Sequence, residues 1–202
     1  MLIQIHPANP PSRLLKQVAE CLKKGGVIIY PTDTIYGLGC DIKHPRSVER
    51  ICLIKGMDPQ KAQLSFICQD LSHLSDYTKS IDTPLYRMLK SYLPGPYTFI
   101  LPASKMVPKI LKSKKDTVGL RIPDNIICRS ILETLGNPIL STTLPGDMVE
   151  EYTHPEIIYE KFKTQVDIVI DGGMGGMMPS TIIDCTSDDW HIIRQGVGEW
   201  SA

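Results

Sequence analysis

The segment Val27-Ile28-Ile29-Tyr30 is an unbroken apolar run that passes without a spacer into Pro31-Thr32-Asp33-Thr34-Ile35-Tyr36-Gly37-Leu38-Gly39-Cys40. Such a run reads as a buried strand, and this one delivers the chain straight into hydroxyls, a carboxylate and glycines. Pro31 fixes its own φ and holds Tyr30 extended. Gly37 and Gly39 can adopt positive φ or let another group approach the backbone closely. Thr32, Asp33, Thr34 and Tyr36 offer side chains able to hydrogen-bond a small polar ligand. The same residue types also suit an ordinary strand-to-helix turn. From this segment alone the two readings stand level.

The rest of the chain alternates between helical and strand-like patterns. Leu14, Leu15, Val18, Cys21 and Leu22 form a helical stripe that follows Pro10-Pro11-Ser12 and stops at Gly25-Gly26. Val48, Ile51, Cys52 and Ile54 form the next helical face, opened near Pro45 and closed by Gly56. A short helix is expected from Leu71 to Tyr77, and a longer one from Pro84 to Leu93 with Asp82 or Thr83 as its cap. Further helices fill Asn125 to Leu135 and Pro155 to Phe162. Strands are expected at Leu64–Cys68, Tyr97–Leu101, Thr117–Ile122, Pro138–Leu144, Val166–Asp171, Ser180–Cys185 and His191–Arg194. This interleaving implies an α/β fold, with one sheet of parallel and antiparallel parts covered by helices on at least one face. No repeat or linker divides the 202 residues, so a single domain spanning 1–202 is expected.

Bulk properties exclude several classes. There is no run long enough to cross a membrane and no signal-peptide core, which predicts a cytoplasmic protein without membrane contact. The six cysteines include no CxxC pair and sit mostly in apolar runs, so neither a zinc site nor a disulfide framework is indicated. The five histidines lack metal-like spacing. Basic and acidic residues balance at 22 each, so any attraction for nucleic acid must come from a local asymmetry. One such cluster is Lys105, Lys109, Lys112, Lys114 and Lys115, although lysines so grouped are usually a solvated face.

Polar groups recur at the ends of elements. Lys55 ends a helix; Thr98 begins a strand after Pro94-Gly95-Pro96; Ser141-Thr142-Thr143 closes another strand. Arg121 lies inside the apolar run Gly119-Leu120-Arg121-Ile122, where a guanidinium must be paired or must face a cavity. It suits a ligand carboxylate or phosphate, or a structural ion pair with Asp or Glu. Arg194 ends a strand in the same way. Asp171-Gly172-Gly173-Met174-Gly175-Gly176 before Ser180 can form an anion-binding nest of backbone N–H groups. No P-loop, GxGxxG turn or nucleophile elbow is present. Cations, hydroxyls and glycine-rich backbone together favour electrostatic positioning of a phosphate-bearing ligand over covalent catalysis.

Four segments carry a resemblance. Tyr30–Gly39, Leu93-Pro94-Gly95-Pro96-Tyr97-Thr98, Gly119-Leu120-Arg121-Ile122-Pro123 and Pro179-Ser180-Thr181-Ile182-Ile183-Asp184, in this order, look like the YrdC-like superfamily over nearly the whole chain. Asp70–Ser75 and Ile139–Pro145 resemble its YciO branch. The resemblance implies a twisted open mixed sheet with helices and a concave basic face. It implies relationship to enzymes that make L-threonylcarbamoyladenylate from L-threonine, bicarbonate and ATP with Mg2+, in the t6A modification of tRNA. It also implies an association with double-stranded RNA. By the same resemblance Lys55 and Arg121 would be catalytic, and Thr32, Tyr36, Thr98, Ser141, Thr143, Ser180 and Arg194 would bind substrate or nucleotide. The enzymes carry a Lys-x-Arg element and a later Ser-x-Asn. Here these positions read Lys55-Gly56-Met57 and Ser141-Thr142-Thr143. A synthase and a non-catalytic RNA- or nucleotide-binding module are therefore both expected readings.

Overall fold

Each helix begins or ends at a local signal in the sequence. The computed structural model describes residues 1–58, 62, 64–107, 116–146 and 152–201. Helix α1 (Ser12–Lys23) follows Pro10-Pro11, and α2 (Pro45–Lys55) opens on proline and stops at Gly56, whose φ of 67° is left-handed. Side-chain oxygens of Asp70, Asp82 and Asn125 accept from backbone N–H groups three residues on, capping α3 (Leu71–Ser75), α4 (Thr83–Tyr92) and α5 (Ile126–Leu135). Helix α6 (Pro155–Phe162) again starts on proline.

Among the described residues, ten strands form one mixed sheet. In chain order they are β1 (Leu2–Gln4), β2 (Val27–Tyr30), β3 (Gly37–Asp41), β4 (Ser65–Ile67), β5 (Tyr97–Pro102), β6 (Thr117–Arg121), β7 (Ile139–Thr143), β8 (Ile168–Asp171), β9 (Thr181–Asp184) and β10 (His191–Arg194). Their order across the sheet is β1-β8-β2-β3-β7-β4-β6-β5-β9-β10. The parallel pairs are β1 with β8, β8 with β2, β4 with β6 and β5 with β9. Antiparallel pairs join the others.

The two faces of the sheet are covered differently. Val27, Ile29, Leu38, Phe66, Leu120, Phe99 and Ile183 point into one core, on which α2, α3, α4 and α6 pack through Ile51, Leu74, Leu89 and Phe162. Ile28, Tyr30, Ile67, Ile139, Ile168 and Ile170 point into a second core, closed by α1 and α5 through Leu22 and Ile131. This second core stops at β4. Side chains alternate between faces along a strand, so Ser65, Ser141, Gly119, Arg121, Thr98 and Ile100 share the face of Ile67 and Ile139; Arg121, Thr98 and Ser141 are buried there, and Ile100 joins neither apolar core. No described residue of β6, β5 or β9 joins this second core, so over these strands the face is open in the sense that no apolar helix stripe closes it. No described helix is long and apolar enough to cross a membrane.

Two strands depart from the expectation. Gly37–Asp41, which the sequence reading assigns to no strand, is β3, paired along its length with β2 and β7. Neither Gly37 nor Gly39 has positive φ. Instead both accept a close approach: a Cβ at Gly39 would lie 2.9 Å from Tyr30 Cε1 and 2.6 Å from Ile139 Cγ2, and one at Gly37 would lie 3.0 Å from Tyr30 Cζ. The glycines let the Tyr30 ring lie on the neighbouring strand. Gly39→Ala should therefore cost about 1–3 kcal/mol through overpacking, read as a lower urea midpoint. An unchanged midpoint would show that the ring is free to lift. The second departure is β1, three residues too short to signal itself, which pairs with β8 at the sheet edge.

Candidate functional site

The open half of the second face is floored by small residues. Gly39, Ser141, Ser65 and Gly119 lie level on four adjacent strands, followed by Ile100 on β5 and Asp184 on β9. One step along, Ile139, Ile67 and Arg121 lie level, with Thr98 on β5 level with Ile182. Arg121 is the last residue of β6 and is 8% exposed, so its charge needs a partner. The loop between β2 and β3 supplies one. Arg121 Nη2 donates to Asp33 Oδ1 at 2.5 Å, to Thr34 Oγ1 at 2.8 Å and more weakly to Thr32 Oγ1 at 3.4 Å. Both readings of Arg121 thus meet here, since a structural ion pair stands at the rim of the open face. The pair is incomplete, because Arg121 Nε and Asp33 Oδ2 are both buried without a hydrogen-bond partner among the described residues.

Thr32 organises its own loop. Its Oγ1 donates to Ile35 O at 2.7 Å and accepts from Thr34 N at 3.0 Å. Thr98 and Ser180, both buried, pair through their hydroxyls at 2.9 Å. Arg194 reaches this pair by way of a β-bulge. Ile192 is level with Ile183, but Arg194 is level with Ile182. Regular pairing would place Arg194 beside Thr181 and on the opposite face. The bulge keeps its guanidinium on the open face, where Nη2 donates to Ser180 O at 2.8 Å. Partial burial and the like charge of Arg121 lower the Arg194 pKa.

Lys55 comes from the end of α2 and donates to Thr143 Oγ1 and Leu144 O, each at 2.8 Å, at the end of β7. Half-burial lowers its pKa. No described carboxylate lies within salt-bridge distance of it. Ser141, two residues earlier on β7, holds the Tyr30 phenol at 2.7 Å.

The structure therefore gathers Thr32, Thr98, Arg121, Ser180 and Arg194 at one end of the open face, with Ser141, Thr143 and Lys55 along β7. Tyr36 is placed elsewhere. It lies 1% exposed in the first core, with its hydroxyl donating to Gly173 O at 2.7 Å and accepting from Gly172 N at 3.2 Å. Burial pushes its pKa up to about 12. The glycine nest is also not free. The N–H groups of Gly172, Gly173, Gly175 and Gly176 go to Tyr36 Oη, Asp171 Oδ1, Thr153 O and Thr34 O. Those glycines anchor the loop rather than cradle an anion. Of the lysine cluster, Lys109, Lys112, Lys114 and Lys115 lie outside the described residues. Two contributors escaped the sequence reading of the site: Asp33 as the partner of Arg121, and Tyr30. The signal for Tyr30 was Gly-x-Gly in the adjoining segment, which leaves room for a ring.

The family model Sua5_yciO_yrdC, described as "Telomere recombination", matches residues 20–196. The uncharacterized protein YciO of Escherichia coli is 45% identical over 198 residues, covering 96% of this chain and 95% of that protein. Its crystal structure superposes with a TM-score of 0.91, covering 98% of this chain and 97% of that one. A threonylcarbamoyl-AMP synthase of Vibrio vulnificus is 30% identical, covering 90% of this chain and 98% of the synthase. The crystal structure of Sua5 from P. abyssi complexed with L-threonine matches at 26% identity with a TM-score of 0.86, covering 97% of this chain but 57% of that longer protein.

Proposed function

The chain belongs to the Sua5/YciO/YrdC family, and on that premise we propose that its open face binds Mg-ATP together with L-threonine, as a threonylcarbamoyl-AMP synthase requires. The observation that carries this reading is the placement of Arg121 and Arg194 on one hydroxyl-lined face beyond the second apolar core. Two guanidiniums on the same face suit two anionic groups, a carboxylate and a polyphosphate. The L-threonine held by the P. abyssi relative supplies the carboxylate partner.

In this reading Arg121 orients the threonine carboxylate beside Thr32 and Thr34. Bicarbonate and the threonine amine combine to a carbamate with loss of water. A carbamate oxygen then attacks the α-phosphorus of ATP, the bond to the β,γ-diphosphate breaks, and pyrophosphate leaves carrying the displaced charge. Lys55 and Arg194 stabilise that charge, while magnesium enters with ATP as part of the substrate. Purified protein given threonine, bicarbonate and Mg-ATP should release pyrophosphate in proportion to threonine. Release that ignores threonine, or none at all, sinks the synthase reading.

One observation favours a second reading, binding of structured RNA without turnover. The positions that carry arginine and asparagine in the synthases hold Met57 and Thr143 here, and the Thr143 hydroxyl is already engaged by Lys55. Binding through phosphates should weaken steeply with salt as counterions are released. Affinity for duplex RNA that stays flat across a salt series would remove this alternative.

A further inference from the structure

We propose that Tyr30 is a positioning residue that makes Ser141 a hydrogen-bond donor to an anionic ligand oxygen on the open face. The inference rests on the nucleotide reading above. Tyr30 is fully buried, and its hydroxyl lies 2.7 Å from Ser141 Oγ. A phenol sealed from water must donate, because an unmade bond there costs about 1–3 kcal/mol. Burial also raises its pKa, so the proton stays on the phenol. Ser141 is therefore the acceptor, and its own proton is left over.

A serine hydroxyl has one proton to give and two lone pairs. Among the described residues the proton has a single acceptor, Leu38 O at 3.3 Å, well beyond the roughly 2.5–3.0 Å of a good O–H···O bond. Beside Ser141 the floor continues through Ser65 and Gly119, neither of which carries anything larger than a hydroxymethyl group. The Ser65 hydroxyl has no hydrogen-bond partner among the described residues. A phosphate oxygen arriving over that floor is a better acceptor than Leu38 O, and the bond received from Tyr30 polarises the Ser141 hydroxyl toward it. This gives Gly37 and Gly39 a purpose: a side chain at either would push the ring off β3 and turn the phenol away from Ser141.

A double-mutant cycle of Tyr30→Phe and Ser141→Ala tests this, read as Mg-ATP affinity by calorimetry with thermal midpoints alongside. Both substitutions remove one oxygen and add no volume. Each single variant should weaken binding about tenfold, and the double variant should be no weaker than Ser141→Ala alone, because Tyr30 acts through Ser141. Losses that add across the cycle overturn the inference. So does a Tyr30→Phe protein with a lower midpoint and wild-type affinity, which would make the phenol purely structural. Wild-type protein that binds no Mg-ATP overturns the nucleotide reading and this inference with it, whereas wild-type binding with additive losses overturns this inference alone.

Discussion

Arg121→Ala is expected to lower the free energy of unfolding by about 3–5 kcal/mol, because it strands the Asp33 carboxylate in a buried setting. Both side chains are 10% exposed and joined at 2.5 Å, so solvent can do little to compensate the remaining charge. The loss should be read as a shift of the urea midpoint at constant slope. Pairing the substitution with Asp33→Asn, and using Arg121→Met to keep the volume, should recover most of it, since neither buried charge remains. The single and double variants losing equally would show that packing, not the ion pair, is responsible. The expected recovery has a functional meaning. Arg121 Nε and Asp33 Oδ2 are buried and unpartnered among the described residues, and each such atom costs about 1–3 kcal/mol. An arrangement that leaves two polar atoms unsatisfied is a poor device for stability alone. Its retention at the rim of an open, cation-bearing face fits a guanidinium held ready for a ligand.

The sequence exposed most elements of this fold, for identifiable reasons. Helices announced themselves through Pro45, Gly56, Asp82 and Asn125, because helix ends carry unpaired backbone groups that only certain residues satisfy. Strands β2, β7 and β8 announced themselves as β-branched apolar runs. Strand β3 did not, because Gly37-Leu38-Gly39 has too few side chains to show a period, and its glycines answer to a ring on the neighbouring strand rather than to a turn. The open face was legible as a set of residue types but not as a place. Arg121, Arg194 and Ser141 could be picked out singly as polar groups in apolar company. That Asp33 would pair with Arg121, and that a bulge in β10 would bring Arg194 to the same face, depends on register across the sheet. Register shows itself locally only when one face is clearly apolar. Tyr36 illustrates the converse. Adjacent to Thr32 and Thr34 in sequence, it belongs to the opposite face of the sheet, because Leu38, two residues on, points into the first core.

Replacing Met57 by arginine and Thr143 by asparagine in one chain is expected to raise threonine-dependent pyrophosphate release by about a hundredfold or more, the scale on which a single preorganised donor acts. The local structure permits the change. Position 57 is fixed by the end of α2, where left-handed Gly56 turns the backbone and Met57 N donates to Cys52 O at 2.8 Å. An arginine there would start two residues from Lys55, which already stands at the end of β7. At position 143 the threonine hydroxyl accepts from Lys55. An asparagine carbonyl can take over that bond while its amide adds two N–H donors that reach farther from the backbone than the threonine hydroxyl. The two changes together supply the second cation and the amide that the synthases carry, without disturbing Arg121, Arg194 or the hydroxyl floor. A gain of this size would mean that the native chain binds the reactants in place but under-stabilises the leaving pyrophosphate, so its own task is holding or slow turnover. No gain from a folded double variant, with Mg-ATP affinity intact, would mean that the departure from the synthases lies deeper than these two side chains, in the substrates the open face accepts.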